Sequence, residues 1–273
     1  MLPIIVLSLV VVCFGPTVGA VPVGSLDLNK EPFDLEARAI EMAPPAPQWV
    51  GAPQYPGDDT IGVQVERSGL IDTAKRWPKN ATTGWYDFNY YITPNFTAAE
   101  KSLILVALNI IHRDIAKVAV RPWVSGKKEY VYIRKGLAGS GYVGMQKGGQ
   151  IVNLEVSHLG TCMTKHTVLH ELTHALGFHH EHTRPDRDSY LEIVQANIKP
   201  AYLHNFQKYS SQTVTTAGTA YDFASVMGYG LYSFAINPAQ QTMKILPKWS
   251  HLTYGWGAEY SRTDITEINL MYP

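Results

Sequence analysis

Three histidines and a glutamate near the middle of the chain have the residue types and spacing to hold a metal ion and activate water. Residues 167–190 read TVLHELTHALGFHHEHTRPDRDSY, in which His170, Glu171, His174, Gly177 and His180 spell H-E-x-x-H-x-x-G-x-x-H. Residues four apart lie one above the other on a helix face, so His170 and His174 can aim two imidazoles at one point. Glu171 stands beside that point without being forced to ligate it. Gly177 can adopt the left-handed conformation that ends a helix and turns the chain, returning His180 as a third nitrogen. Three protein ligands leave a zinc ion one open position for water, and a neighbouring carboxylate can take that water's proton. A structural zinc would be closed by a fourth Cys or His, and the nearest candidates, His179, His182 and Cys162, stand at no finger-like spacing.

The chain must also supply elements to position these side chains. It has 273 residues, 45% hydrophobic and 17% charged, enough for one sizeable core. Zero net charge gives no compositional case for binding nucleic acid or an anionic membrane surface. Residues 1–20 read as a secretory signal: an apolar run from Leu2 to Phe14 ends in Val18-Gly19-Ala20. That run is shorter than the roughly 20 residues a bilayer span needs, and no other stretch approaches one, so a secreted chain is expected. Cys13 would leave with the signal, so Cys162 has no internal partner and reads as a buried apolar thiol.

Residues 84–92 alternate Tyr86, Phe88 and Tyr90 with polar residues, a strand pattern. Thr97 and Glu100 form a capping box before Leu103, Val106, Ala107, Ile110 and Ile111, which predict a long amphipathic helix. A strand is expected over 127–135 and glycine-bounded strands over 140–156, where the absence of G-K-[ST] argues against a phosphate loop. Past His180 the chain is turn-rich, with short helices expected near 188–209 and 262–270. Asn80 and Asn95 head glycosylation sequons.

The stretch HELTHALGFHHEHTRPDRDSY closely resembles the zinc signature of the astacin family of metalloendopeptidases, above all in Glu181 directly after the third histidine. YDFASVMGYG resembles the family's methionine turn, with Met227 followed two residues later by Tyr229; Gly228 stands where the family usually has His. The resemblance implies an α+β, two-lobed metzincin domain. One lobe would hold a twisted mixed sheet and two helices, including the active-site helix. A mostly irregular lobe would follow Gly177, with zinc in the cleft between. It further implies one Zn2+ on His170, His174 and His180, Glu171 as general base, Met227 as an apolar floor, and Tyr229 as a resting ligand that moves to stabilise the oxyanion. Tyr142–Met145 would lie near the edge strand on which an extended substrate pairs.

Upstream, Tyr55-Pro56-Gly57-Asp58 resembles the pro-segment motif F-x-G-D, which gives Asp58 the role of zymogen switch, with Asp59 as its rival. Trp77 stands nine residues after Ser68, as the resemblance requires if an activating protease cuts at Arg67-Ser68. The freed Ser68 ammonium would then pair with Glu181. The implied organisation is a minimal one: signal peptide 1–20, propeptide 21–67 and catalytic domain 68–273, a monomer acting on proteins or peptides. Family members ordinarily carry two disulfides, for which the partners are absent here. The alternative is a secreted zinc-binding protein that kept the scaffold without activity; such decay would be expected to strike Glu171 or a histidine first.

Overall fold

A computed structural model of the protein describes residues 69–136, 140–157, 160–161, 163–211, 214–252, 254–255 and 259–273. Asp58, Ser68 and Cys162 lie outside them. Strand β1 (Gly69–Leu70) leads into β2 (Tyr86–Ile92), then helix α1 (Ala98–Asp114), β3 (Val118–Pro122), β4 (Tyr130–Gly136), β5 (Ser140–Gly141), β6 (Gly149–Ser157), β7 (Gly160–Thr161) and helix α2 (Lys165–Leu176). The main sheet runs β3-β2-β4-β6-β5, parallel throughout except for β5, which is antiparallel to β6 and forms one edge. It is therefore mixed, as expected.

Both faces of β2 are buried, as is usual for strands of a parallel sheet. Tyr86, Phe88 and Tyr90 join the core, and the alternate residues Asp87 and Asn89 are buried as well. Asp87 accepts from Lys127 at 2.8 Å and Asn89 donates to the Glu129 carbonyl at 3.1 Å. The capping box of α1 forms as its sequence implies: Glu100 N–H donates to Thr97 Oγ1 at 3.3 Å and Thr97 N–H to Glu100 Oε2 at 2.6 Å. The buried stripe of α1 is rotated from the one expected. Ile104, Leu108 and Ile111 face the core with Ala107 and Ile110, while Val106 is exposed and Leu103 only packs at the margin. A flat hydrophobic count cannot separate neighbouring stripes when apolar residues run as densely as Leu103–Leu108.

Beyond α2 regular structure thins to short 3-10 helices, the two-residue pairing of β9 (Val214–Thr215) with β1, the pairing of β8 (Leu191–Ile193) with β10 (Met243–Ile245), and helix α3 (Arg262–Met271). The short helices expected near 188–209 are 3-10 helices, the longest Pro200–Phe206, and the one expected near 262–270 is α3. A second cluster of Leu191, Ile198, Phe206, Tyr221, Phe223, Tyr229 and Met243 provides this lobe's own core.

Helix α2 lies between the sheet and this second lobe, and its C-terminus is clasped on every side. A helix leaves its last four carbonyls without intrahelical partners. Here Phe178 N–H donates to Thr173 O at 3.3 Å; Gly177 and Gly144 N–H both donate to His174 O at 2.8 Å. The Trp77 indole donates to Ala175 O at 2.8 Å, and the Tyr272 hydroxyl to Leu176 O at 2.6 Å. Gly144 takes part because residues 142–145 have left the sheet. The edge strand itself is residues 140–141, and Tyr142–Met145, expected near that edge, follow it directly.

Candidate metal centre

Helix α2 starts at Thr164, whose hydroxyl accepts from Thr167 N–H at 3.1 Å, and ends at Gly177, which has φ 107° and ψ 27°. That backbone is open to glycine and disfavoured for other residues, and it turns the chain so that His180 faces the helix. The three Nε2 atoms then converge: His170 to His174 is 3.1 Å, and His180 is 3.2 Å from each. Ligand nitrogens about 2.0–2.1 Å from a tetrahedral ion stand about 3.3 Å apart, so the spacing fits zinc. The outward nitrogens fix the tautomers. His170 Nδ1–H donates to Val226 O at 2.8 Å and His174 Nδ1–H to Phe178 O at 2.6 Å. Carbonyls only accept, so both Nδ1 atoms carry the proton and both Nε2 lone pairs point inward. Burial, reinforced by His170, His182 and His179 around it, holds His180 well below the usual imidazole range and hence neutral, the ligating form. Among the described residues this is the one cluster of metal-ligating side chains, all three buried.

Glu171 is buried, on the side of α2 that meets the edge strand. A Cβ placed on Gly141 would stand 3.5 Å from the Glu171 carbonyl and 3.7 Å from its Oε2. The carboxylate therefore lies between the histidines and β5, whose outer edge has no strand beside it among the described residues. Opposite, the turn 225–228 is tied to the site through backbone: Glu181 N–H donates to Met227 O at 2.9 Å, and Gly228 N–H to Ser225 O at 3.1 Å. Met227 is buried in the main core. Tyr229 packs its ring on His180, centroid to centroid 4.2 Å.

The peptidase family described as Astacin matches residues 71–273. The chain belongs to the astacin family. Zinc metalloproteinase nas-7 of Caenorhabditis elegans is 33% identical over 220 residues, 80% of this chain and 53% of that protein. The chain thus spans about half the length of that relative. High choriolytic enzyme 1 of Oryzias latipes is 34% identical over 195 residues, 71% of this chain and 68% of that one. The solved structure of that hatching enzyme zinc-protease superposes with a TM-score of 0.66 at 28% identity, covering 73% of this chain and 95% of the other. The two-lobed α+β astacin fold and the single three-histidine zinc site are accordingly those of this chain.

The astacin residues after His180 are more deeply engaged than their sequence suggests. Composition alone allows an exposed charge at Glu181 and a solvated charged turn over 186–190, yet Glu181 is buried, and so is Arg187 within that turn. Arg184 is fully buried at the centre of a carboxylate cluster, donating to Glu181 Oε1 at 3.1 Å, to both oxygens of Asp186 at 3.0 Å, and to Glu267 Oε1 at 3.4 Å. Glu181 also accepts from Asp222 N–H at 2.8 Å. Burial pushes Glu181 well above the usual carboxylate range and Glu267 up to about 7, with Arg184 pulling both back. Arg187 donates to the His182 and Phe206 carbonyls at 2.9 and 2.6 Å. Both guanidiniums thus cross-link the loop that carries the third ligand.

Sequence reasoning missed Asp264. This α3 residue accepts from Ser225 Oγ at 2.7 Å and from Val226 N–H at 3.0 Å, so it holds the methionine turn from behind. The S-R-T-D capping box at 261–264 was the available signal, since it places a carboxylate at a helix start, but nothing local says which loop it meets. Gly228, the departure from the astacin pattern, leaves no void: a Cβ there would already lie 3.6 Å from Tyr254 Oη and 3.3 Å from Ser225 O.

Proposed function

We propose that this astacin is a zinc endopeptidase made as a secreted zymogen. The observation that carries the reading is the juxtaposition of three inward Nε2 atoms, a buried Glu171 and an open strand edge at Gly141. An extended peptide adding to β5 would pair its backbone with that edge, laying its scissile bond across Glu171. Bound zinc supplies a Lewis acid that acidifies water and polarises the carbonyl. Glu171 takes the proton of the attacking water and returns it to the leaving amine. Tyr229 offers its phenolic hydrogen to the oxyanion, an interaction that grows only as charge develops. Met227 anchors the turn that carries Tyr229.

Latency follows from the upstream segment. In the intact chain Asp58 would occupy the site in place of water until cleavage at Arg67-Ser68. The surroundings of Gly69 support this maturation site. Gly69 pairs with Thr215 and bridges to Phe178, and a Cβ on it would meet Met271 at 3.2 Å. Gly69 and Glu267 line one cavity of about 500 Å3, so a new amino terminus one residue earlier arrives beside the Glu181–Arg184–Glu267 cluster. Of the two sequons, Asn95 is exposed, whereas Asn80 is half-buried with Nδ2 donating to Asp87 at 3.2 Å, so Asn95 is the better glycan acceptor. Among the described residues no helix is long and apolar enough to cross a membrane.

The test is peptidase activity of the full chain before and after cleavage at Arg67, with and without a zinc chelator, beside Glu171→Gln. Activity that requires cleavage, is abolished by chelator and is absent in the variant supports the reading. One bound zinc with no turnover in any form would overturn it in favour of a silent scaffold. If Asp58→Ala leaves the uncleaved chain as inactive as before, the zymogen-switch assignment fails separately.

A further inference from the structure

Tyr229 is enclosed by aromatic rings. His180 covers one face with ring centroids at 4.2 Å, His182 lies against it at 4.2 Å and 31°, and Phe234 and Phe206 close the periphery at 5.4 and 5.9 Å. Tyr202 backs Phe234 in a stacked contact at 4.6 Å. Rings packed this densely could be mere core. Phe234 argues otherwise, because its backbone has φ 58°; among the described residues the one other non-glycine with positive φ is Ala217. A bulky side chain in that region is sterically disfavoured and persists only where its surroundings over-determine it. They do so here: Lys199 N–H donates to Phe234 O at 2.9 Å, Ile236 N–H to Asn197 O at 2.8 Å, and Ala235 N–H to Tyr232 O at 3.2 Å. Filling a core needs volume, not an inverted backbone. Such a backbone re-aims one ring, and this ring lands on Tyr229 and Tyr202.

The residue before Tyr229 holds the turn through its backbone alone, since Gly228 carries no side chain to pack beside the ring. A phenol that must meet a developing charge has to be held to within about 10–20°. We infer that Phe234 and His182 are positioning residues that hold the ring of Tyr229 by packing against it. This rests on the reading of Tyr229 as the oxyanion donor.

A double-mutant cycle in the processed full chain tests it, reading kcat, KM, zinc content and melting temperature. Tyr229→Phe should lower kcat about a hundredfold, the effect of losing one oxyanion donor. Phe234→Leu should lower kcat roughly tenfold or more, since small misplacements near the chemistry are expensive, with KM and zinc content unchanged. In the Tyr229→Phe background the same substitution should have no further effect on kcat, because the group it positions no longer donates. Phe234→Gly, which relieves the backbone while deleting the ring, should reproduce the kcat loss with zinc content unchanged. His182→Gln carries the same cycle should the Phe234 variants fold poorly. Losses that add in the double variants overturn the positioning role while leaving Tyr229 in its own. A Tyr229→Phe protein with undiminished kcat overturns the reading of Tyr229 itself.

Discussion

Asp264 accepts the amide of Val226 at 3.0 Å, and the carbonyl of that same valine receives Nδ1–H of His170 at 2.8 Å. One peptide unit in from the methionine turn, helix α3 thereby reaches a zinc ligand. Burial lifts Asp264 to about 6 while Ser225, Val226 and Ser261 draw it down by donating to it. Asp264→Ala leaves those donors without their acceptor. The expected result is a loss of roughly 2–4 kcal/mol in stability and a ten- to hundredfold weaker zinc affinity by chelator competition, the scale seen when outer hydrogen bonds to a metal site are removed. Unchanged affinity would mean that Val226 holds His170 without help from α3.

The left-handed Gly177 makes a separate prediction. Gly177→Ala forces a Cβ into φ 107°, at a cost of about 1–3 kcal/mol if the geometry is kept. Relaxation would move His180, which lies three residues further on, so zinc affinity should fall more than that of a surface Gly→Ala control. Titration of the apo-protein with zinc against a chelator measures it.

Trp77 and Tyr272 serve neighbouring carbonyls, Ala175 and Leu176. Trp77→Phe and Tyr272→Phe each strand one buried acceptor, and each should cost about 1–3 kcal/mol in thermal or denaturant unfolding. Because both act on one helical turn, the double variant should fall short of the sum. Equal and additive losses would indicate independent packing effects instead.

Stability should depend on pH through Glu267. Its folded-state value, raised by burial to about 7, exceeds that of an ordinary Glu, so the folded chain binds this proton more tightly than the unfolded chain. The stabilisation is complete below about pH 4.5 and disappears as pH rises through 7. Glu267→Gln has no such proton to lose. Its stability relative to the wild type should therefore improve between about pH 5 and 8, by at most about 3 kcal/mol. A pH-independent difference between the two would assign the proton elsewhere, with Glu181 the neighbour whose value burial also raises.

The metal site was legible because its ligands are local: His170, His174 and His180 fall within eleven residues, and helix periodicity plus one left-handed turn at Gly177 converts that spacing into a point. The capping box at Thr97 and Glu100 was legible for the same reason. What could not be read were partners brought together by tertiary packing. Nothing around Trp77 points to Ala175, and nothing around Asp264 points to Val226. Composition allowed an exposed charge at Glu181, whereas its burial depends on Arg184 and the Asp222 amide reaching it through the fold. Where the edge strand ends was hidden for a comparable reason: residue 144 gives its amide to the carbonyl of His174, a partner set by the fold.

The clasp on helix α2 also orders events in time. The first of its side-chain donors, Trp77, is synthesised long before the helix, and the last, Tyr272, long after it. Tyr272 further sets its ring edge-on to Tyr86 at 5.0 Å, so it joins the start of β2 to the end of the zinc helix. A nascent chain that has not yet reached residue 272 carries all three histidines with the Leu176 carbonyl still open to water. One carbonyl at the end of the zinc helix therefore receives its side-chain donor only after residue 272 has been made.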